Sequence, residues 1–205
     1  MIKKKEVFIL AAIFLALILS FYFDKEVIQL ISLAQNAVFT DFFIGITFIS
    51  SEIIIFFFLT SLFLWQDNKR KWILPLWFTL LMTIIISFFL KIIVQRERPF
   101  QLGIIPLIPA LESASYTIWN YSFPSFQAML AFSAIPILSK EFPKFKWVWI
   151  VFAFLVGFSR VYFGVHFLSD VISGGLIGYF IGAIVIRIEK ENGFWGKIYK
   201  IILRK

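Results

Sequence analysis

The sequence predicts an all-α integral membrane protein, a bundle of six transmembrane helices. Three observations lead there. The 205 residues are 60% hydrophobic, with a mean hydropathy of +0.90, and only 16% are charged, against about a quarter in soluble domains. Six apolar runs approach the roughly 20 residues that cross a bilayer. The basic residues gather in alternate connections between those runs, as cytoplasmic loops do.

The first span is expected over residues 7–23, behind Lys3, Lys4 and Lys5. That opening resembles a signal peptide, but the bulky Ser20-Phe21-Tyr22-Phe23-Asp24 offers no small-residue cleavage site, so a retained helix is expected. Residues 24–41 are moderately apolar and suit the membrane interface. The second span, 42–65, places Glu52 near its middle, where an ionisable group is a functional candidate by default. The third, 73–94, carries Thr79, Thr83 and Ser87 below Lys91. They read as a packing face with hydroxyls satisfied along the helix. Pro99 is expected to stop that helix. The fourth, 125–139, opens beside Pro124, a favourable residue at a first helical turn, and has Pro136 near its end. The fifth and sixth are expected over 147–163 and 167–187. Gly174, Gly178 and Gly182 recur on the sixth, and small residues let membrane helices approach closely. The tail from Gly193 reads as an interfacial amphipathic helix. One domain over 1–205 accounts for the chain.

Of the 20 basic residues, 15 fall in the segments before span one, between spans two and three, between four and five, and after six. Both termini are therefore expected on the cytoplasmic side. That placement explains the net charge of +8 without a nucleic-acid partner. Trp65, Trp72, Trp147, Trp149 and Trp195 lie near the expected cytoplasmic boundary and suit an aromatic belt. The absence of cysteine excludes disulfides and thiolate metal sites.

Three segments converge on the opposite, outer side. Lys91 to Arg98-Pro99 ends span three, Ser122 to Gln127 opens span four, and Ser159-Arg160 through His166 to Asp170 joins spans five and six. His166 is the only histidine. A cation at a membrane boundary is costly and needs a partner. Lys91, Arg98 and Arg160 together exceed what Asp170 neutralises, so the missing partner is an anion with several oxygens. Arginine forks and a lysine point charge fit phosphate, and the helix N-terminus at Ser125 adds backbone donors. The competing reading is a set of cations snorkelling to lipid headgroups.

These segments resemble the signature motifs of the type 2 phosphatidic acid phosphatase (PAP2) superfamily. Its first motif is Lys, six residues, Arg-Pro, matched by Lys91 and Arg98-Pro99. Its third is Ser-Arg, five residues, His, three residues, Asp, matched by Ser159-Arg160, His166 and Asp170. The resemblance extends to the six-span layout. It implies a cofactor-free, metal-independent lipid phosphatase. His166 would attack phosphorus and form a phosphohistidine, which water hydrolyses. Asp170 would orient the ring, a geometry that i and i+4 positions on one helix allow. Lys91, Arg98, Arg160 and the Ser125 backbone would hold the phosphoryl oxygens.

The second motif departs. The family reads Pro-Ser-Gly-His; here it is Pro124-Ser125-Phe126-Gln127. The resemblance makes that histidine the general acid for the leaving group, and Gln127 cannot deliver a proton. Such a loss typically costs about 10²–10⁴-fold. A lipid alkoxide needs the proton, because its conjugate acid is about as weak as water, with a pKa of roughly 16. A phosphate monoester, with a second pKa of about 6, leaves without one. The expected substrate is therefore a polyprenyl diphosphate, with a phosphatidic-acid-like monophosphate second. Glu112 is an alternative acid. A non-catalytic lipid-phosphate binding or transport protein on the same scaffold is the reading from another class.

Overall fold

A computed structural model describes residues 4–106 and 121–203. Every regular element among them is helical. Helices α1 (Lys4–Tyr22), α2 (Asp24–Leu33), α3 (Ala37–Ile49) and α4 (Glu52–Leu64) lead through a 3₁₀ turn, Asp67–Trp72, into α5 (Ile73–Val94). After the connection come α6 (Phe126–Ser133), α7 (Ile135–Glu141), the 3₁₀ turn Pro143–Phe145, α8 (Lys146–Tyr162), α9 (Leu168–Asn192) and α10 (Phe194–Leu203).

The expected third, fifth and sixth spans coincide with α5, α8 and α9; α5 and α8 taken with the 3₁₀ turns before them, and α9 alone, are each long and apolar enough to cross a membrane. The expected second span is not one straight helix. It is α3 and α4, bent by 61° at Ser50–Ser51. Glu52 therefore opens a helix instead of lying inside one, and it is exposed. A carboxylate in a first turn favours the positive dipole end. The expected fourth span is also divided, into α6 and α7, with Pro136 just past the break. Proline lacks the N–H that would continue the ladder, and its ring crowds the preceding turn. Span α5 ends at Val94, five residues before Pro99; Gln95 takes the left-handed conformation (φ 49°) and closes the helix by donating to Lys91 O.

Helix α6 lies at the centre, against α5, α8 and α9. Its contact with α9 is close because three glycines leave room for backbone. A Cβ on Gly178 would lie 2.1 Å from Met129 O, one on Gly182 2.1 Å from Ser133 O, and one on Gly174 2.6 Å from Ser125 O. The main apolar core, including Leu59, Phe63, Leu76, Leu130, Ile137 and Val156, joins α4 to α8 below the site. Outward faces are apolar as well: Phe48, Phe57, Ile93 and Phe154 are each more than half exposed. Such surface suits lipid.

The tryptophans depart from the expected belt. Trp65 and Trp147 are exposed, but Trp72, Trp149 and Trp195 are buried. Trp149 donates to Ala131 O at 2.9 Å, Lys140 covers the Trp72 ring, and Trp195 packs on Phe78. Residues 24–41 are likewise more than an interfacial stretch, since α2 packs against α8 and α9 and buries Asp24 and Ile28.

Candidate active site

The His166 ring is carried by the tight connection between α8 and α9, one residue before the N-cap Phe167. Gly164, at φ +60°, turns the chain; a side chain there would meet Ile105. The backbone N–H groups of Val165 and His166 both donate to Arg160 O, at 3.2 and 3.3 Å. The connection thus clamps the histidine to the end of α8. Because His166 precedes the helix, it and Asp170 do not share a helical face as expected. Their closest approach is 3.8 Å, from Nδ1 to Oδ2, too long for a hydrogen bond.

Asp170 is nevertheless the hub of the site. Its Oδ2 accepts from the Phe167 N–H at 2.8 Å, the reach-back half of a capping box. The same oxygen accepts a short hydrogen bond from Ser122 Oγ. Ser122 Oγ in turn lies 3.4 Å from His166 Nδ1. With its proton committed to Asp170, that hydroxyl faces the ring as an acceptor, which favours the Nδ1–H tautomer. The other ring nitrogen, Nε2, faces Arg98 Nη1 at 3.3 Å. So the ring presents its lone pair to the cationic side.

That side is built from three elements. Lys91, the last cation of α5, is buried and donates to Tyr121 O at 2.5 Å. Arg98, beyond the end of α5, donates to Val165 O at 2.7 Å. Arg160, on the last turn of α8, is buried and bonds Thr47 Oγ1 on α3. The Arg98 charge acts on Lys91, Arg160 and His166 alike. Among the described residues, neither Lys91 nor Arg160 reaches a carboxylate. Burial first, and the Arg98 charge second, push the His166 ring from its ordinary 6.5 down to about 3. The ring is thus neutral at physiological pH, with a lone pair on one of its nitrogens.

Ser125 is the N-cap of α6, with Pro124 outside the helix and not in its first turn. Its backbone N–H is taken by Asp170 O at 3.0 Å, so it is not the phosphate donor expected. The Ser125 hydroxyl is the better candidate: fully buried, with no partner among the described residues. The N–H groups of Gln127 and Ala128, in the first turn of α6, have no intrahelical acceptor. Gln127 itself is half-buried at the second position of α6. Ser87 also departs from expectation. Thr79 and Thr83 donate to carbonyls four residues back, but the buried Ser87 hydroxyl finds no partner among the described residues. Glu112 lies outside the described residues.

Three residues escaped the sequence reading. Arg96 had no assigned role, yet its Nη1 bonds Asp170 Oδ1 at 2.8 Å and Ser169 Oγ at 2.7 Å, while Nη2 bonds Asp24 Oδ2 at 2.6 Å. Asp24 also accepts from the Ser169 N–H at 3.0 Å. Ser122, which no motif marks, links Asp170 to the ring. No local pattern marks Asp24, whose partners are 72 and 145 residues away.

The arrangement concentrates buried cations around a neutral imidazole and offers an unpartnered hydroxyl and helix N–H groups to an anion. Several known proteins are similar to this chain. An undecaprenyl-diphosphatase of Sulfolobus acidocaldarius is 30% identical over 138 residues, 65% of this chain and 63% of that protein. The chain therefore spans a little under two thirds of that relative. A transmembrane PAP2 type phosphatidylglycerolphosphate phosphatase from Bacillus subtilis has a similar fold, with a TM-score of 0.69 at 22% identity, covering 89% of this chain and 96% of the other. LpxE of Aquifex aeolicus gives a TM-score of 0.65 at 30% identity, covering 79% and 93%. The sequence pattern of the PAP2 superfamily matches residues 72–194, and the chain belongs to that superfamily.

Proposed function

We propose that the protein is a membrane lipid phosphatase that hydrolyses a polyprenyl diphosphate to the monophosphate and phosphate. The observation that carries this reading is the His166 ring: neutral, with Nδ1 turned to Ser122 and Nε2 turned to the cations. In the first step the Nε2 lone pair forms a bond to the terminal phosphorus. The bridging P–O bond breaks, and its electron pair leaves with the lipid monophosphate. Lys91, Arg98 and Arg160 offset the charge on the transferring phosphoryl oxygens, with the Ser125 hydroxyl as a further donor. The imidazolium charge that develops is supported through Ser122 by Asp170. In the second step water attacks the phosphohistidine, the P–N bond breaks, and Nε2 regains its lone pair as phosphate departs.

Gln127 supports a diphosphate over a monophosphate, because a phosphate leaving group dispenses with the missing acid. The undecaprenyl-diphosphatase relative supports the same substrate class. The membrane layout proposed with it has six crossings. These are α1, the bent pair α3–α4, α5, the divided pair α6–α7, α8 and α9, in one domain with cytoplasmic termini and the site at the outer headgroup level. A second reading, a lipid-phosphate binder without turnover, is favoured only by Gln127.

The test is phosphate release from a polyprenyl diphosphate in detergent with a chelator present, beside His166→Ala. Release by the wild type and none by the variant is expected. Equal release by both removes His166 from the chemistry, and no release by either leaves the binding reading.

A further inference from the structure

One layer behind the histidine lies a bridge that the attack on phosphorus does not itself use. Asp24 heads α2 and is almost fully buried. It caps α9 from outside, accepting from the Ser169 N–H and Oγ. Between it and Asp170 sits the Arg96 guanidinium, one arm to each carboxylate. The Arg96 Cζ lies 4.1 Å from the centroid of the Phe167 ring, next to His166. Arg96 O accepts from the Ser122 N–H at 2.7 Å. The one residue therefore holds the Asp170 carboxylate through its side chain and Ser122 through its backbone.

The geometry has a specific effect. A carboxylate held through one oxygen alone can swing about its Cβ–Cγ bond and turn that oxygen away from its donors. Here Arg96 occupies Oδ1, which leaves Oδ2 alone to receive Phe167 N–H and Ser122 Oγ. Only in that orientation is the Ser122 proton drawn away from the ring. We infer that Arg96, anchored by Asp24, is a positioning residue that locks Asp170 so that Ser122 accepts from His166 Nδ1 and Nε2 is left for phosphorus. A lysine at this position reaches one carboxylate at a time, whereas the planar fork reaches both. The inference rests on the proposed phosphatase reading for its kinetic arm and on the ring alone for its spectroscopic arm.

The test uses the full-length protein in detergent with ¹⁵N-labelled histidine. His166 is the only histidine, so the ring nitrogens report one site. The charged groups around it are Lys91, Arg98 and Arg160 on one side and Asp170, Arg96 and Asp24 on the other. The wild type is expected in the Nδ1–H tautomer, and Arg96→Gln in a mixture of tautomers. On a polyprenyl diphosphate, Arg96→Gln should lower kcat by about 10–100-fold, as loss of an outer-shell partner does, with KM moved less than about threefold. In an Asp170→Asn background the same substitution should add nothing. Arg96→Lys should recover part of kcat, and Asp24→Asn should move tautomer and kcat in the same direction as Arg96→Gln. An unchanged tautomer in Arg96→Gln, a loss confined to KM, or a loss additive with Asp170→Asn overturns the inference. If Arg96→Gln shows no cooperative melt, Asp24→Asn decides by the same readouts. If the wild type releases no phosphate, the functional reading fails while the ring nitrogens still decide this one.

Discussion

At the scale of single residues, His166 is set apart by solitude and by burial. Because its ring is pushed down to about 3, a ¹⁵N or ¹H titration should show it neutral through the whole range from pH 8 to about 4. The sign for stability follows. Above about 6.5 the ring is neutral folded or unfolded; between 6.5 and about 3 the unfolded chain takes a proton that the folded one refuses. Stability should fall as pH is lowered through that window. Adding inorganic phosphate or vanadate should raise the ring pKa, because an anion at Arg98 relieves the repulsion. A ring titrating near 6.5 without any anion would contradict the burial. Gln127→His tests the leaving-group argument: restoring an acid should raise turnover of a lipid monophosphate by about 10²-fold or more and change that of a diphosphate far less. Equal gains on both, in parallel kcat measurements, would remove the reason to favour diphosphate. Lys91, Arg98, Arg160, His166 and Asp170 were legible because two fixed spacings mark them. Asp24, Arg96 and Ser122 were not, since their roles arise only when residues up to 145 positions apart meet.

At the scale of elements, the α6–α9 contact decides where the site residues stand. Gly174 faces the Ser125 backbone, and Asp170 O receives the Ser125 N–H one turn away. Gly178→Ala would drive a methyl to 2.1 Å from Met129 O. It should destabilise by about 1–3 kcal/mol, the ordinary cost of overpacking, and lower activity by shifting Ser125 from Asp170. Gly45→Ala, with nothing within 4 Å of the new Cβ, should leave both unchanged. Thermal melting in detergent with matched kcat separates the two. Elements α5, α8 and α9 were legible from hydropathy because each is long and uninterrupted. The bend at Ser50–Ser51 and the division before Pro136 were not, since long apolar runs flank both and keep the hydropathy high across them. The Nδ1 geometry was misjudged for a related reason: a four-residue spacing implies a shared face only if both residues are helical, and α9 starts at Leu168.

At the scale of the whole molecule, charge placement and apolar outward faces support a membrane bundle with the site on the side opposite the lysine-rich turns. The chain has no cysteine, so single cysteines report sidedness directly. Lys144→Cys, in the exposed turn before α8, should react with an impermeant maleimide only after cells are opened; Leu102→Cys, in the exposed turn beyond Arg98, should react in intact cells. The reverse pattern would invert the proposed topology. The Asp24–Ser169 cap has a further consequence, for biosynthesis. The residues that match the superfamily begin at 72, yet Asp24 lies before them and the N–H that it caps belongs to Ser169. During insertion Asp24 is made 72 residues before its ion-pair partner Arg96 and 145 residues before Ser169, whose N–H it caps. A fragment holding every signature residue but not α2 would keep the Asp170 contact to the Phe167 N–H while leaving the Ser169 N–H without its carboxylate and Arg96 bridged to Asp170 but not to Asp24.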